Sequence, residues 1–147
     1  MKNIAKIIKT GLVVLLLTPA GCSKPQPPAV PDETTLQGTW KGHESGVNVP
    51  GSPSLVLTGN NLEFRGADTN EWYKGTFALQ EDKTPKQLTA VITECPFPAY
   101  VGKTVHGIYR LDGGTLTLAA NEPGAPAIPA AFNSPGARQF VFQMDKP

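Results

Sequence analysis

From Leu36 onward the chain alternates apolar and polar residues with a period of two, in short runs bounded by Gly, Pro, Asn and Asp. Side chains of an extended strand point to opposite faces in turn, so this pattern predicts half-buried strands rather than helices. Eight are predicted: Gln37–Glu44, Ser54–Thr58, Asn61–Gly66, Glu71–Gln80, Lys86–Thr93, Thr104–Asp112, Thr115–Asn121 and Arg138–Asp145. Gly59-Asn60 separates the second from the third, and Asp112-Gly113-Gly114 joins the sixth to the seventh as a tight hairpin. Glycine suits such turns because it adopts positive φ without a Cβ clash.

Parity assigns the faces. Trp40 falls with Gly38 and Gly42, Leu62 with Phe64, and Tyr73 with Gly75, Phe77 and Leu79. Leu88, Ala90 and Ile92 form one set, Val105, Gly107, Tyr109 and Leu111 another, and Phe140, Phe142 and Met144 a third. His43, Trp72, Lys74, His106, Arg110 and Gln143 fall on the opposite face. A sheet apolar on one side only has to cover that side, and curling into a barrel also removes its exposed edges. The expected fold is therefore all-β, a small antiparallel barrel of about eight strands in the lipocalin-like (calycin-like) manner. At that strand number the interior either fills with side chains or holds one small ligand. Candidate lining residues are Trp40, Phe64, Tyr73, Phe77, Tyr109, Phe140 and Phe142.

The residues before Leu36 follow a different pattern. Lys2, Lys6 and Lys9 precede the apolar run Gly11 to Leu17, and small residues follow it to Cys22. A positive start, a short apolar middle and a small-residue end are the three parts of a secretion signal. The run is shorter than the roughly 20 residues a membrane span needs. Leu17 to Cys22 resembles a bacterial lipobox, although Pro19 stands where an aliphatic or small residue is usual. The resemblance implies that Cys22 becomes the mature N-terminus and carries acyl chains, each buried methylene adding ~0.8 kcal/mol of membrane affinity. Cleavage after Ala20 is the alternative; it leaves Cys22 free to pair with Cys95, the other cysteine, in an oxidising compartment. Ser23 to Thr35 contains four prolines and little that is apolar, the composition of an extended tether. The expected organisation is signal peptide 1–21, lipidated cysteine and disordered tether 22–35, and barrel 36–147. The chain is expected to be exported and held by its lipid in the cell envelope, with the outer membrane favoured.

Composition narrows the chemistry. Fifteen Gly and fifteen Pro in 147 residues favour a turn-rich β fold over helices. From Leu36 onward nine Lys and Arg face ten Asp and Glu, with no basic cluster interleaved with aromatics, which speaks against a nucleic-acid partner. His43, His106 and Cys95 lack metal-ligand spacing, and parity sends both histidines outward. No glycine-rich phosphate cradle opens a helix, and the predicted interior carries no carboxylate. No catalytic residue and no cofactor is expected. Two proline-rich segments, Glu94 to Lys103 and Glu122 to Ala137, carry Phe97, Tyr100, Ile128 and Phe132; they either cap a barrel end or line a binding mouth.

Several motifs, in order, resemble those of a conserved exported domain that recurs in planctomycetes and verrucomicrobia. They are Leu36-Gln37-Gly38-Thr39-Trp40, Gly75-Thr76-Phe77, Thr84-Pro85-Lys86, the Gly107 to Gly113 stretch, Leu116-Thr117-Leu118, and Pro129, Phe132 and Gly136. That resemblance spans Leu36 to about Lys146 and implies a fold without implying an activity. Gly38-Thr39-Trp40 is also similar to the GxW motif on the first lipocalin strand, where an arginine of the last strand packs across the tryptophan. Carried over, it implies that Arg138 stacks on Trp40. Two functions remain open: a module binding a small apolar or amphiphilic ligand, and a structural or protein-interaction module with a filled core. The size of the interior cavity separates them.

If Cys22 carries the lipid, Cys22→Ser should move the chain from the membrane fraction to the soluble fraction. Retention of the variant in membranes after a high-salt wash contradicts the lipid anchor.

Overall fold

Eight strands, each hydrogen-bonded to the next and the last to the first, close into a single antiparallel barrel. They are β1 (Gly38–Glu44), β2 (Ser54–Thr58), β3 (Asn61–Arg65), β4 (Trp72–Gln80), β5 (Lys86–Glu94), β6 (Thr104–Asp112), β7 (Thr115–Ala120) and β8 (Arg138–Met144). This computed structural model describes residues 27–146; the expected signal peptide and the expected lipidation site Cys22 lie outside them. The all-β barrel that the alternation predicts is the observed fold, and every predicted strand is present to within a residue at each end.

Closure depends on close backbone approach at two glycines. A Cβ on Gly42 would lie 1.9 Å from the Val141 carbonyl oxygen, where β1 crosses β8. One on Gly75 would lie 2.1 Å from the Val91 carbonyl oxygen, beside a register shift between β4 and β5. Any side chain at either position would push the strands apart, so both glycines serve curvature.

The two ends of the barrel differ. Short turns at Gly59-Asn60, Glu81–Pro85 and Gly113-Gly114 gather at one end, and the long connections gather at the other. The short-turn end is closed. Trp40 and Leu36 are buried there, and the indole Nε1 donates to the Leu36 carbonyl oxygen at 2.9 Å. Leu55, Leu57, Phe77, Leu88, Tyr109, Leu116 and Phe142 pack with them into one core. Arg138 takes no part in this plug. Trp40 is registered opposite Met144, near the end of β8, whereas Arg138 begins β8 beside Ala120. The Trp40–Arg138 stack implied by the lipocalin motif is therefore not formed: the two residues belong to opposite ends of the barrel. The Leu36 carbonyl satisfies the indole instead.

The chain docks on the barrel before Leu36. Asp32–Thr35 forms a single helical turn, α1, at the closed end. The Asp32 carboxylate accepts hydrogen bonds from Lys86 Nζ at 2.5 Å and the Tyr109 hydroxyl at 3.0 Å, and the Asp32 backbone N–H donates to Glu81 at 3.1 Å. Burial first, and then the bond to Asp32, raise the Tyr109 pKa above its ordinary value, so the hydroxyl stays protonated and donates. The disordered tether expected as far as Thr35 is corrected here. Asp32–Thr35 attaches through polar contacts, which need no apolar surface.

A second departure concerns the outer face. Alternation places Ile108, Thr117 and Ala119 outside, yet all three are buried. The connection between β7 and β8 folds back over this side. The Gly124 N–H donates to the Thr104 carbonyl oxygen at 2.8 Å, and the Arg110 guanidinium lies 5.3 Å from the centre of the Phe132 ring. Here the barrel wall is covered on both faces.

Trp40→Ala empties the plug and should cost about 3–5 kcal/mol of unfolding free energy. Trp72, half-buried on the outer face with Lys74 Nζ 5.8 Å from its ring centre, is the comparison. Trp72→Ala should cost roughly 1 kcal/mol, as partly exposed positions do. Denaturant melts of both variants of the full chain check this, and equal losses contradict the assignment of Trp40 as the plug.

Candidate functional site

The plug fills one end of the barrel and leaves the other hollow. A cavity of about 410 Å³ opens at the long-loop end, within the range of small-molecule sites. Leu62, Leu88, Ala90, Ile92, Val105 and Leu118 line its walls from within the strands. Strand alternation points these residues inward.

An aromatic series runs from the core to the opening. Phe142 stacks on Phe140 at 5.8 Å between ring centres, and Phe140 meets Phe64 edge-on at 5.1 Å. Phe64 lies 6.1 Å from Tyr73, which in turn lies 6.4 Å from both Phe97 and Tyr100. A 3-10 turn, Pro98–Tyr100, carries Tyr100 over the opening. Phe97 and Val101 on the same connection are exposed, as are Val47 and Val49 on the loop between β1 and β2 at this end. Exposed apolar side chains thus stand on the loops around the opening.

Of the seven residues expected to line an interior site, Phe64, Tyr73 and Phe140 do so. Trp40, Phe77, Tyr109 and Phe142 do not; they belong to the packed core towards the closed end. Period-two alternation identifies the inward face but not the height of a residue along the barrel axis. That height follows from the stagger between strands and from where the plug sits. Tyr100, Glu122 and Arg138 also line the cavity, and the inward aromatics alone do not reveal them. Tyr100 and Glu122 come from the two proline-rich connections. The signal for Arg138 was its parity with Phe140 and Phe142 at the very start of β8.

Polar groups are confined to the mouth. Arg138 grips Glu44 with two hydrogen bonds of 2.8 and 2.7 Å, and it contacts Glu71 through Nη1 and, at 3.2 Å, through Nη2. Its guanidinium also lies 5.1 Å from the Phe140 ring centre. The hydrogen bonds to Glu44 raise its pKa above an already high value, so the charge is permanent. Tyr100 donates its hydroxyl to Glu122, and this bond raises the phenol pKa. Tyr73 is raised as well, by burial first and by the Glu71 charge second, and so remains a neutral hydroxyl. Among the described residues the Tyr73 hydroxyl has no hydrogen-bond partner, whereas no fully buried side-chain polar atom lacks one.

Cys95, just past β5, has no disulfide partner among the described residues; its Sγ lies 3.0 Å from the Phe97 carbonyl oxygen. His43 is exposed and His106 half-buried, both on the outer face as their parity predicts. Among the described residues no three His, Cys, Asp or Glu side chains converge in a way that would hold a metal ion. None of the described helices is long and apolar enough to cross a membrane.

These features define a class of structure: a closed antiparallel barrel, plugged at one end, with an apolar chamber open at the other. Compared with known proteins, the chain matches no family model and no curated relative.

Arg138→Met strands two partly buried carboxylates beside each other at the mouth. Melts of the full-chain variant should show a loss of about 1–3 kcal/mol, since the groups are not fully desolvated. Adding Glu44→Gln and Glu71→Gln to that variant should recover part of the loss. No recovery would mean that Arg138 acts through packing on Phe140 alone.

Proposed function

We propose that this chain is a lipid-anchored protein of the bacterial cell envelope whose barrel is a non-catalytic module binding one small apolar or amphiphilic ligand. The observation that carries this reading is the open chamber of about 410 Å³. A structural module with a filled core would have no such space, because protein interiors pack to crystal-like density. The lining supports the same reading. Aliphatic and aromatic walls favour an apolar body, and the polar groups sit only at the opening, where a ligand's polar end would rest.

The position of the tether fits this role. The chain enters the barrel through α1 at the plugged end, opposite the mouth. A lipid on Cys22 would therefore hold the closed end towards the bilayer and leave the mouth facing away from it. The signal sequence and the resemblance of Leu17 to Cys22 to a lipobox are what support the anchor.

Native mass spectrometry of the full chain, released from its own envelope, tests the binding reading. A stoichiometric small-molecule adduct is expected, and Val105→Trp, which fills the chamber from β6, should abolish it. A folded chain free of adduct, with no uptake of apolar probes, favours the structural module.

A further inference from the structure

The mouth holds an arginine that looks like a counter-ion for a carboxylate ligand, but its charge is already used. Arg138 is held by both Glu44 and Glu71, each contacted by the guanidinium within hydrogen-bond distance. Lys74 forms part of the cavity wall, but its ammonium lies beside Trp72 on the outer face and 3.7 Å from Glu94. Glu122, the remaining charged lining residue, is met by the neutral Tyr100 hydroxyl. The lining and its direct ionic partners thus bring four carboxylates against two cations. Around them, Arg65 pairs with Glu63 at 2.6 Å, and Lys103 and Asp68 on the flanking loops cancel in charge. Around the opening the carboxylates therefore outnumber the cations by two. The hydroxyl of Tyr73 stands beside the opening without a partner among the described residues, able both to donate and to accept.

Resting on the binding reading above, we infer that the barrel selects its ligand by headgroup charge: it takes single-chain amphiphiles ending in an alcohol or an ammonium group and rejects fatty-acid anions. The alkyl body occupies the chamber between Leu88, Ile92, Val105, Leu118 and Phe140. An alcohol at its end exchanges hydrogen bonds with the Tyr73 hydroxyl, and an ammonium is drawn to Glu122 and to the excess charge of the Glu44–Arg138–Glu71 cluster. A carboxylate meets the same excess as repulsion and finds no uncommitted cation among the lining residues. Desolvating it there without a partner adds to the penalty. Glu44 and Glu71 are therefore specificity residues: they withhold Arg138 from the ligand.

The test uses the full chain in phosphatidylcholine nanodiscs and the neutral fluorescent probe N-phenyl-1-naphthylamine. The Val105→Trp chain gives the background for partition into lipid. Dodecanol, dodecyltrimethylammonium and dodecanoate then compete with the bound probe. Dodecanol and dodecyltrimethylammonium should displace it at concentrations at least about tenfold below those of dodecanoate, the effect of a unit charge at a half-exposed rim. In Glu44→Gln/Glu71→Gln the released guanidinium should reverse the order in favour of dodecanoate. If that variant does not fold, Glu122→Gln serves instead and should weaken dodecyltrimethylammonium severalfold while leaving dodecanol unchanged. Equal displacement by all three, or tightest binding of dodecanoate to the unaltered chain, overturns the inference and leaves the binding reading standing. No probe binding above background overturns the binding reading itself.

Discussion

The hydrogen bond from the Trp40 indole to the Leu36 carbonyl oxygen is the contact on which the arrangement of this molecule depends. An indole can be buried completely only if its N–H finds an acceptor, and a barrel end offers few, because ladder bonds already occupy the strand carbonyls. Leu36 precedes β1 and has a carbonyl to spare. Meeting that demand folds the chain across the barrel's end and brings α1 against Lys86, Tyr109 and Glu81. The bulk of the interior is then concentrated at one end. With Trp40, Tyr109 and Phe142 packed there, the other half keeps an open chamber, even with Phe64, Tyr73 and Phe140 in its lining. The open chamber is thus the counterpart of the plug.

Charge placement follows from the same asymmetry. The closed end spends its polar groups on structure: Asp32 satisfies Lys86 and Tyr109 together. At the open end Arg138 is held by two carboxylates and by the face of Phe140, an arrangement that ties β8 to β1 and to the start of β4. One guanidinium thereby does both structural and electrostatic work. It braces the mouth, and its charge is met there by two carboxylates.

Alternation alone made the strands legible. From Gln37 to Asp145 it predicts eight runs that match β1–β8 to within a residue at each end, because a one-residue slip would turn every apolar side chain outward. The candidate site was legible in part. Phe64, Tyr73 and Phe140 reach the cavity, while Trp40, Phe77, Tyr109 and Phe142 share their parity but sit lower in the barrel. Ile108 and Ala119 carried a signal of their own: apolar residues on the polar face of β6 and β7, which the returning 121–137 segment covers.

The amino-acid order by itself determined which residues point inward, where the chain turns and how many strands must pair, since these follow from local backbone geometry and a pattern of period two. The tertiary structure decided the rest. Closure at Gly42 and Gly75, the depth of each aromatic, the docking of Asp32 and the partners of Arg138 all depend on residues far apart in sequence meeting at one height on the barrel. That height is set by strand stagger around the whole ring, a property of the closed sheet and of no single segment.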